Sequence, residues 1–188
     1  IDHERINAEY DEKAKKEFFE ETFNYLIYAS FNNSNNPNIY FTLGTFYETG
    51  TGTEINLESA QDNYKRAAEI CYQDVQNNFD LFINSGFRLG RLQLNFEQAL
   101  KDGVNNIIYC SQCLNVAKVY AGRIFYEGKL IEKDYSKAFD YFQNAAKAGI
   151  LEAQFYLAEM YENGIPNVCE KNINKAIDLY FAVAMNLV

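Results

Sequence analysis

Long apolar runs are missing from this 188-residue chain. Crossing a bilayer as a helix takes roughly 20 consecutive apolar residues. The most apolar stretch, Ile177 to Val188, is interrupted by Asp178 and Asn186, so direct membrane insertion is not expected. Proline occurs twice and glycine ten times, and so few breakers favour helices. Basic residues are also short: 17 Lys and Arg stand against 26 Asp and Glu, for a net charge of −9. Nucleic-acid binding needs clustered cations to neutralise phosphates, and an anionic membrane surface asks the same; neither partner is expected. No leader of the secretory type opens the chain, because Ile1 to Lys16 is polar and charged. Beginning at Ile1 rather than Met, the chain reads as processed or excised, so a secretory origin stays open.

Apolar material is ample, with 48% hydrophobic and 16% aromatic residues. Its arrangement is periodic. Leu43-Gly44-Thr45-Phe46-Tyr47-Glu48-Thr49-Gly50, Ala121-Gly122-Arg123-Ile124-Phe125-Tyr126-Glu127-Gly128 and Leu157-Ala158-Glu159-Met160-Tyr161-Glu162-Asn163-Gly164 align. In each, a small residue (Gly44, Gly122, Ala158) is followed three places on by an aromatic (Tyr47, Phe125, Tyr161) and three further by glycine. A second run then opens at Ser59-Ala60, Lys137-Ala138 and Lys175-Ala176, continues with Tyr64, Phe142 or Tyr180, and closes on Ala67-Ala68, Ala145-Ala146 or Val183-Ala184. The spacing predicts two antiparallel helices per unit. The small residue lets the partner helix approach, the aromatic one turn on fills the space beside it, and the glycine fits a left-handed C-cap. Gly50 and Gly128 lie about two periods apart. A degenerate unit is therefore expected between them, around Leu89-Gly90, Phe96, Ala99 and Gly103. One hairpin cannot bury both its faces, so several must stack.

Glu152 to Gly164, with Lys175-Ala176, Tyr180 and Ala184, resembles a Sel-1-like repeat, a relative of the tetratricopeptide repeat. Tyr120 to Gly149 resembles it more completely, through Asp134, Lys137-Ala138, Tyr141-Phe142 and Ala145-Ala146, and Ile39 to Ala68 is a third match. Ala158 stands in place of the usual Gly and Asn63 in place of the usual aromatic, while Cys71 to Ser111 matches loosely and could hold a longer helix pair. The resemblance implies an all-α fold, a right-handed α/α superhelical solenoid of antiparallel helix pairs. Residues 1–37 are then an N-terminal helical cap or truncated repeat, with Ala14, Phe18, Tyr25 and Leu26 on one face, plus an Asn-rich loop that carries a glycosylation triplet, Asn32-Asn33-Ser34. Residues 38–188 make about four repeats (38–71, degenerate 78–112, 115–149 and 151–188), in one continuous solenoid.

Candidate chemistry is sparse. Cys110-Ser111-Gln112-Cys113 is half of a zinc site at most, because Cys71, Cys169 and His3 are unpaired in sequence, and a redox role would need a βαβ setting. His3, the only histidine, lies in a charged terminal segment. Gly50-Thr51-Gly52 lacks the Lys and third Gly of a phosphate loop and occupies the inter-helix turn. No catalytic, metal or cofactor residue is assigned. The four cysteines lack the one-pair-per-repeat spacing of the family's disulfide-rich secreted branch, which inclines the compartment toward the cytoplasm, with the secretory lumen or secretion as the alternative.

Solenoids present a concave surface lined by the first helix of each unit. The positions there that do not anchor the core are Thr42, Thr45, Arg88, Arg91, Tyr120, Arg123, Tyr156 and Glu159, and Tyr and Arg suit protein contacts. Residues Leu179, Phe181, Val183 and Leu187 belong to a last helix apolar nearly all round, which is expected to be covered by flanking repeats, another chain or a second copy. What the resemblance implies is a non-enzymatic scaffold or adaptor that holds a partner segment in the groove and helps assemble or regulate a complex. Alternatives are a permanent structural subunit docked through its last helix and, remotely, a hydrolase.

Overall fold

A computed structural model describes residues 2–32, 35–95 and 99–186, with side chains from residue 11 onward. Among the described residues the fold is all-α: α1 (Asp2–Phe31), α2 (Pro37–Thr49), α3 (Leu57–Gln73), α4 (Val75–Gln93), α5 (Leu100–Cys110), α6 (Asn115–Glu127), α7 (Tyr135–Lys147), α8 (Leu151–Asn163) and α9 (Ile173–Met185). The chain divides into two compact units, Ile1–Leu92 and Gln93–Val188. Asn33 and Ser34 of the glycosylation triplet, Phe96 of the degenerate unit, Leu187 of the last helix and the side chain of His3 lie outside the described residues.

Three helical hairpins, α2–α3, α6–α7 and α8–α9, share one construction. The first helix stops at Gly50, Gly128 or Gly164, with φ of 71°, 65° and 70°. A Cβ is strained in that left-handed region. Each cap glycine donates its backbone N–H to a carbonyl one turn back, on Phe46, Ile124 or Met160. The second helix is opened by Asn56, Asp134 or Asn172, whose side chain accepts the backbone N–H of Ser59, Lys137 or Lys175. The same three capping residues donate their own backbone N–H to the carbonyls of Tyr47, Phe125 and Tyr161, at 2.9, 3.0 and 2.7 Å. The repeated aromatic thus marks a backbone tie as well as a packing position.

Packing across each hairpin turns on the small residue. A Cβ at Gly44 would lie 2.7 Å from Tyr64 Cε1, and one at Gly122 would lie 2.6 Å from Phe142 Cε1. Both rings are fully buried, each against a buried alanine one turn earlier, Ala60 or Ala138. In the third hairpin Ala158 takes that position, and Tyr180 is only half-buried. Tyr47 and Tyr161 are half-buried as well, whereas Phe125 is buried. The second-helix rings therefore carry more of the core than the first-helix rings, although the two sets recur equally clearly in the sequence.

In the first unit α1 lies against the α2–α3 hairpin through Phe19 and Phe23, whose rings meet Phe46 and Tyr47. The backbone of Gly52 sits beneath the Phe19 carbonyl so closely that no side chain fits there. Of the four residues grouped on one face by spacing, Ala14, Phe18 and Tyr25 are exposed and only Leu26 is partly covered. Positions Phe19, Phe23, Leu26 and Ser30 recur at helical spacing on the covered side. The loosely matching stretch is uneven: α4 runs for 19 residues and is kinked at Asn78, while α5 runs for 11. In the second unit Val119, Phe125, Phe142, Ala153, Leu157 and Met160 form the central core.

Asn56 tests the capping scheme. Asn56→Ala should cost about 1 kcal/mol, the usual value of a lost N-cap, whereas Asn56→Asp, which installs the residue found at position 134, should stay close to wild type. Urea midpoints decide; equal loss in both variants would mean that the side-chain cap is not what holds α3.

Candidate protein-binding faces

In the first unit, two arginines expected to face a partner converge on one carboxylate. Arg88 Nη1 lies 2.9 Å from Glu48 Oε2 and Arg91 Nη2 lies 2.7 Å from Oε1. The Glu48 side chain is 10% exposed, and each arginine about a third. The Tyr64 hydroxyl donates to Glu48 Oε2 at 2.7 Å and lies 3.2 Å from Thr45 Oγ1. Thr45 in turn donates to the Phe41 carbonyl. The Arg88 guanidinium rests over the rings of Phe41 and Tyr64, and Arg91 over Phe87. Burial works against the charge on Arg88, yet Tyr64 and Glu48 hold its pKa above the ordinary value. Arg88 and Arg91 thus brace α4 against α2 with Glu48 as their partner, while Thr45 joins α2 to α3 through the Tyr64 hydroxyl; Thr42 is half-buried on α2.

Sequence reasoning passed over Glu48, although a signal was present. Four residues after the small position stand Glu48, Tyr126 and Glu162. Where the second-helix ring is tyrosine, the residue is glutamate and accepts its hydroxyl: Tyr64 to Glu48, and Tyr180 to Glu162 at 2.9 Å. Where the ring is Phe142, the residue is Tyr126, which meets it edge-on. Polar partner and ring change together because a buried phenol needs an acceptor.

In the second unit, Tyr120, Arg123, Tyr156 and Glu159 are all half-buried on α6 and α8. The Arg123 guanidinium covers the Tyr120 ring and bonds Glu152 Oε1 at 3.4 Å, with Glu127 Oε1 at 3.7 Å. Arg123, Tyr120, Glu127, Lys129 and Leu94 border a pocket of about 140 Å³. Tyr156 stacks on Phe142 at 4.7 Å and meets Tyr126 edge-on at 5.9 Å.

On α9, Leu179 packs against the core of the second unit rather than outward, and Val183 is half-buried. Of the expected docking residues Phe181 is displayed, 65% exposed, and it continues a stripe with Ile173, Ile177 and Met185. The cysteines stand as thiols outside disulfides: Cys71 and Cys110 are buried, Cys169 is half-buried and Cys113 is exposed. Burial, and then the neighbouring Cys113, push the Cys110 thiol up to about 11, the opposite of an activated nucleophile. Among the described residues no cluster of three or more His, Cys, Asp or Glu side chains could hold a metal, and no helix is long and apolar enough to cross a membrane.

Burial, with the Glu48 carboxylate adding to it, raises Tyr64 from the ordinary 10.0 to about 12. A raised folded-state pKa gives stability that is complete below the unfolded value and lost as pH climbs through the folded one. Melting midpoints should therefore fall between pH 10 and about 12, and Tyr64→Phe should make that fall shallower. An identical alkaline decline in the variant would show that the Tyr64 proton is not held by the fold.

Known proteins supply the comparison. A family model described as Sel1 repeat matches residues 40–69, 115–150 and 151–182, more than half of the chain. No curated protein matches the chain. Two solved structures share the fold: c5321 from uropathogenic Escherichia coli, a protective antigen displaying an SLR fold (TM-score 0.70, 21% identity, 87% of this chain and 33% of that one), and a Sel1 repeat protein from Oxalobacter formigenes (TM-score 0.68, 22% identity, 89% of this chain and 64% of that one). The chain thus spans a third of the first and just under two thirds of the second. With the three matched segments coinciding with the α2–α3, α6–α7 and α8–α9 hairpins, the chain belongs to the Sel1 repeat family.

Proposed function

We propose that this chain is a non-enzymatic adaptor that binds a segment of a partner protein along the exposed face of its first helices and helps hold a complex together. Sel1 repeats are commonly protein–protein interaction modules. The observation that carries the reading is the second-unit face, where Tyr156 and Arg123 are fixed by ring stacking and ion pairs yet remain half-exposed. Side chains ordered before binding lose little freedom on contact, which favours affinity. In the first unit Arg88 and Arg91 already serve Glu48, so they contribute less to partner binding than their residue types suggest.

A second reading has its own observation. Ile173, Ile177, Phe181 and Met185 form an exposed apolar stripe on α9. The corresponding helix of the preceding hairpin, α7, uses Phe139 to meet Tyr161 of α8 at 5.7 Å. Permanent docking of a protein surface there, whether a subunit, a second copy or further repeats, would cover the stripe, as a large apolar interface requires.

One experiment separates the two. The tagged chain is used to capture proteins from its native extract at low and high salt, beside a Tyr156→Ala/Glu159→Lys variant and an Ile177→Glu/Phe181→Glu variant, all with helicity confirmed by circular dichroism. The adaptor reading expects the first variant alone to lose proteins that high salt also releases. Loss only in the second variant, resistant to salt, would shift the assignment to the docked subunit, and retention of every partner by both would overturn the two together.

A further inference from the structure

The second-unit face has a chemistry more specific than general stickiness. Glu159 and Glu162 lie one turn apart on α8, half-buried and exposed respectively. Among the described residues no cation pairs with either, while Glu127 and Glu152 are engaged by Lys129 and Arg123. Around them stand aromatic rings that touch in series. Tyr126 meets Tyr156, Tyr156 meets Phe155, and Phe155 meets Tyr180 at 5.6 Å. Tyr180 closes the group by donating to Glu162. The charge of Glu159 reaches all three phenols. Each holds its proton more firmly than an ordinary tyrosine, through burial first; nearby carboxylates add to this, and at Tyr156 the Arg123 charge works against it. Carboxylates without cations beside the faces and hydroxyls of tyrosines attract positive charge, and ring faces add cation–π attraction. The chain does the same internally: Lys175 lies 5.0 Å above Tyr161, Lys137 5.0 Å above Phe125 and Arg123 5.8 Å above Tyr120.

We propose that this face receives a cationic segment of the partner protein, its Lys or Arg side chains set against Tyr126, Tyr156 and Tyr180 and paired with Glu159 and Glu162. The inference rests on the adaptor reading and narrows it to one class of partner. Charge complementarity supports it at two scales: carboxylates on the face that no cation among the described residues pairs with, and a chain whose net charge is −9. An acidic segment would meet like charge at Glu159 and Glu162, and an anionic membrane or nucleic acid would be repelled likewise.

Fluorescence anisotropy on the full chain tests it with three labelled peptides of equal length, alternating Lys-Ala, Ser-Ala and Glu-Ala. The Lys-Ala peptide should bind tightest and weaken with salt. Glu159→Gln with Glu162→Gln should loosen it about fivefold, the size of one or two exposed cation contacts. Glu170→Gln, which removes one charge from an exposed loop, should leave it nearly unchanged. Equal loosening in the Glu170 variant would reduce the effect to net charge and overturn the proposal. Absence of Lys-Ala binding would overturn it too. Tighter binding of Ser-Ala or Glu-Ala, abolished by Tyr156→Ala, would refute the cationic partner while leaving the adaptor reading intact; failure of that broader reading is decided separately by the capture experiment.

Discussion

At Gly44 and Gly122 a second-helix ring occupies the space that any side chain would need, within 2.7 and 2.6 Å of where the Cβ would stand. That contact sets how near the two helices of a hairpin come. With the ring buried against the first helix, the chain must reverse within a few residues. The left-handed glycine and the capping Asn or Asp supply the reversal, and the tie to the Tyr47, Phe125 or Tyr161 carbonyl fixes its register. Burying a ring the size of Phe142 is worth more than any of these hydrogen bonds singly. The polar ties therefore choose among ways of closing a hairpin whose closure the apolar contact drives.

The same contact reaches the surface. A ring seated on glycine places its far edge one turn along the first helix, where Glu48 or Tyr126 stands. In the first unit that edge is the Tyr64 hydroxyl, and Glu48 gathers it together with Arg88 and Arg91. In the second unit Phe142 carries no hydroxyl, so Tyr126 and Tyr156 cover it with their rings and Arg123 turns to Tyr120 and Glu152. Equivalent positions thus yield a closed ionic clamp in one unit and an aromatic, carboxylate-bearing face in the other.

Much of this architecture is legible from spacing alone, because small residue, aromatic and glycine each answer a steric demand that recurs with every hairpin. Helix count, turns and buried alanines follow from it. Burial of individual rings does not: Tyr47 and Phe125 share a repeat position, yet only Phe125 is buried, because exposure depends on neighbours that spacing does not specify. The packed side of α1 is not legible for a related reason, since that helix has apolar residues on two sides and Phe46 and Tyr47, far away in sequence, choose Phe19 and Phe23. In the candidate faces, residue types were readable and pairings were not. Arg88 reads as a surface hot spot until Glu48, forty residues earlier, is seen to claim it; Leu179 reads as part of a docking face until the helix phase turns it inward.

The central claim, that a ring pressed onto a glycine closes the α2–α3 and α6–α7 hairpins, is tested most directly by a double-mutant cycle between positions 122 and 142. Gly122→Ala gains helix propensity, worth up to about 1 kcal/mol, but drives a methyl into the Phe142 ring, an overpacking cost of about 1–3 kcal/mol. In a Phe142→Leu background the ring is gone and the added methyl has room. Denaturant midpoints should show Gly122→Ala neutral or destabilising beside Phe142 and clearly less harmful, or stabilising, beside leucine, with a coupling of about 1 kcal/mol or more. Strict additivity of the two substitutions would contradict the account.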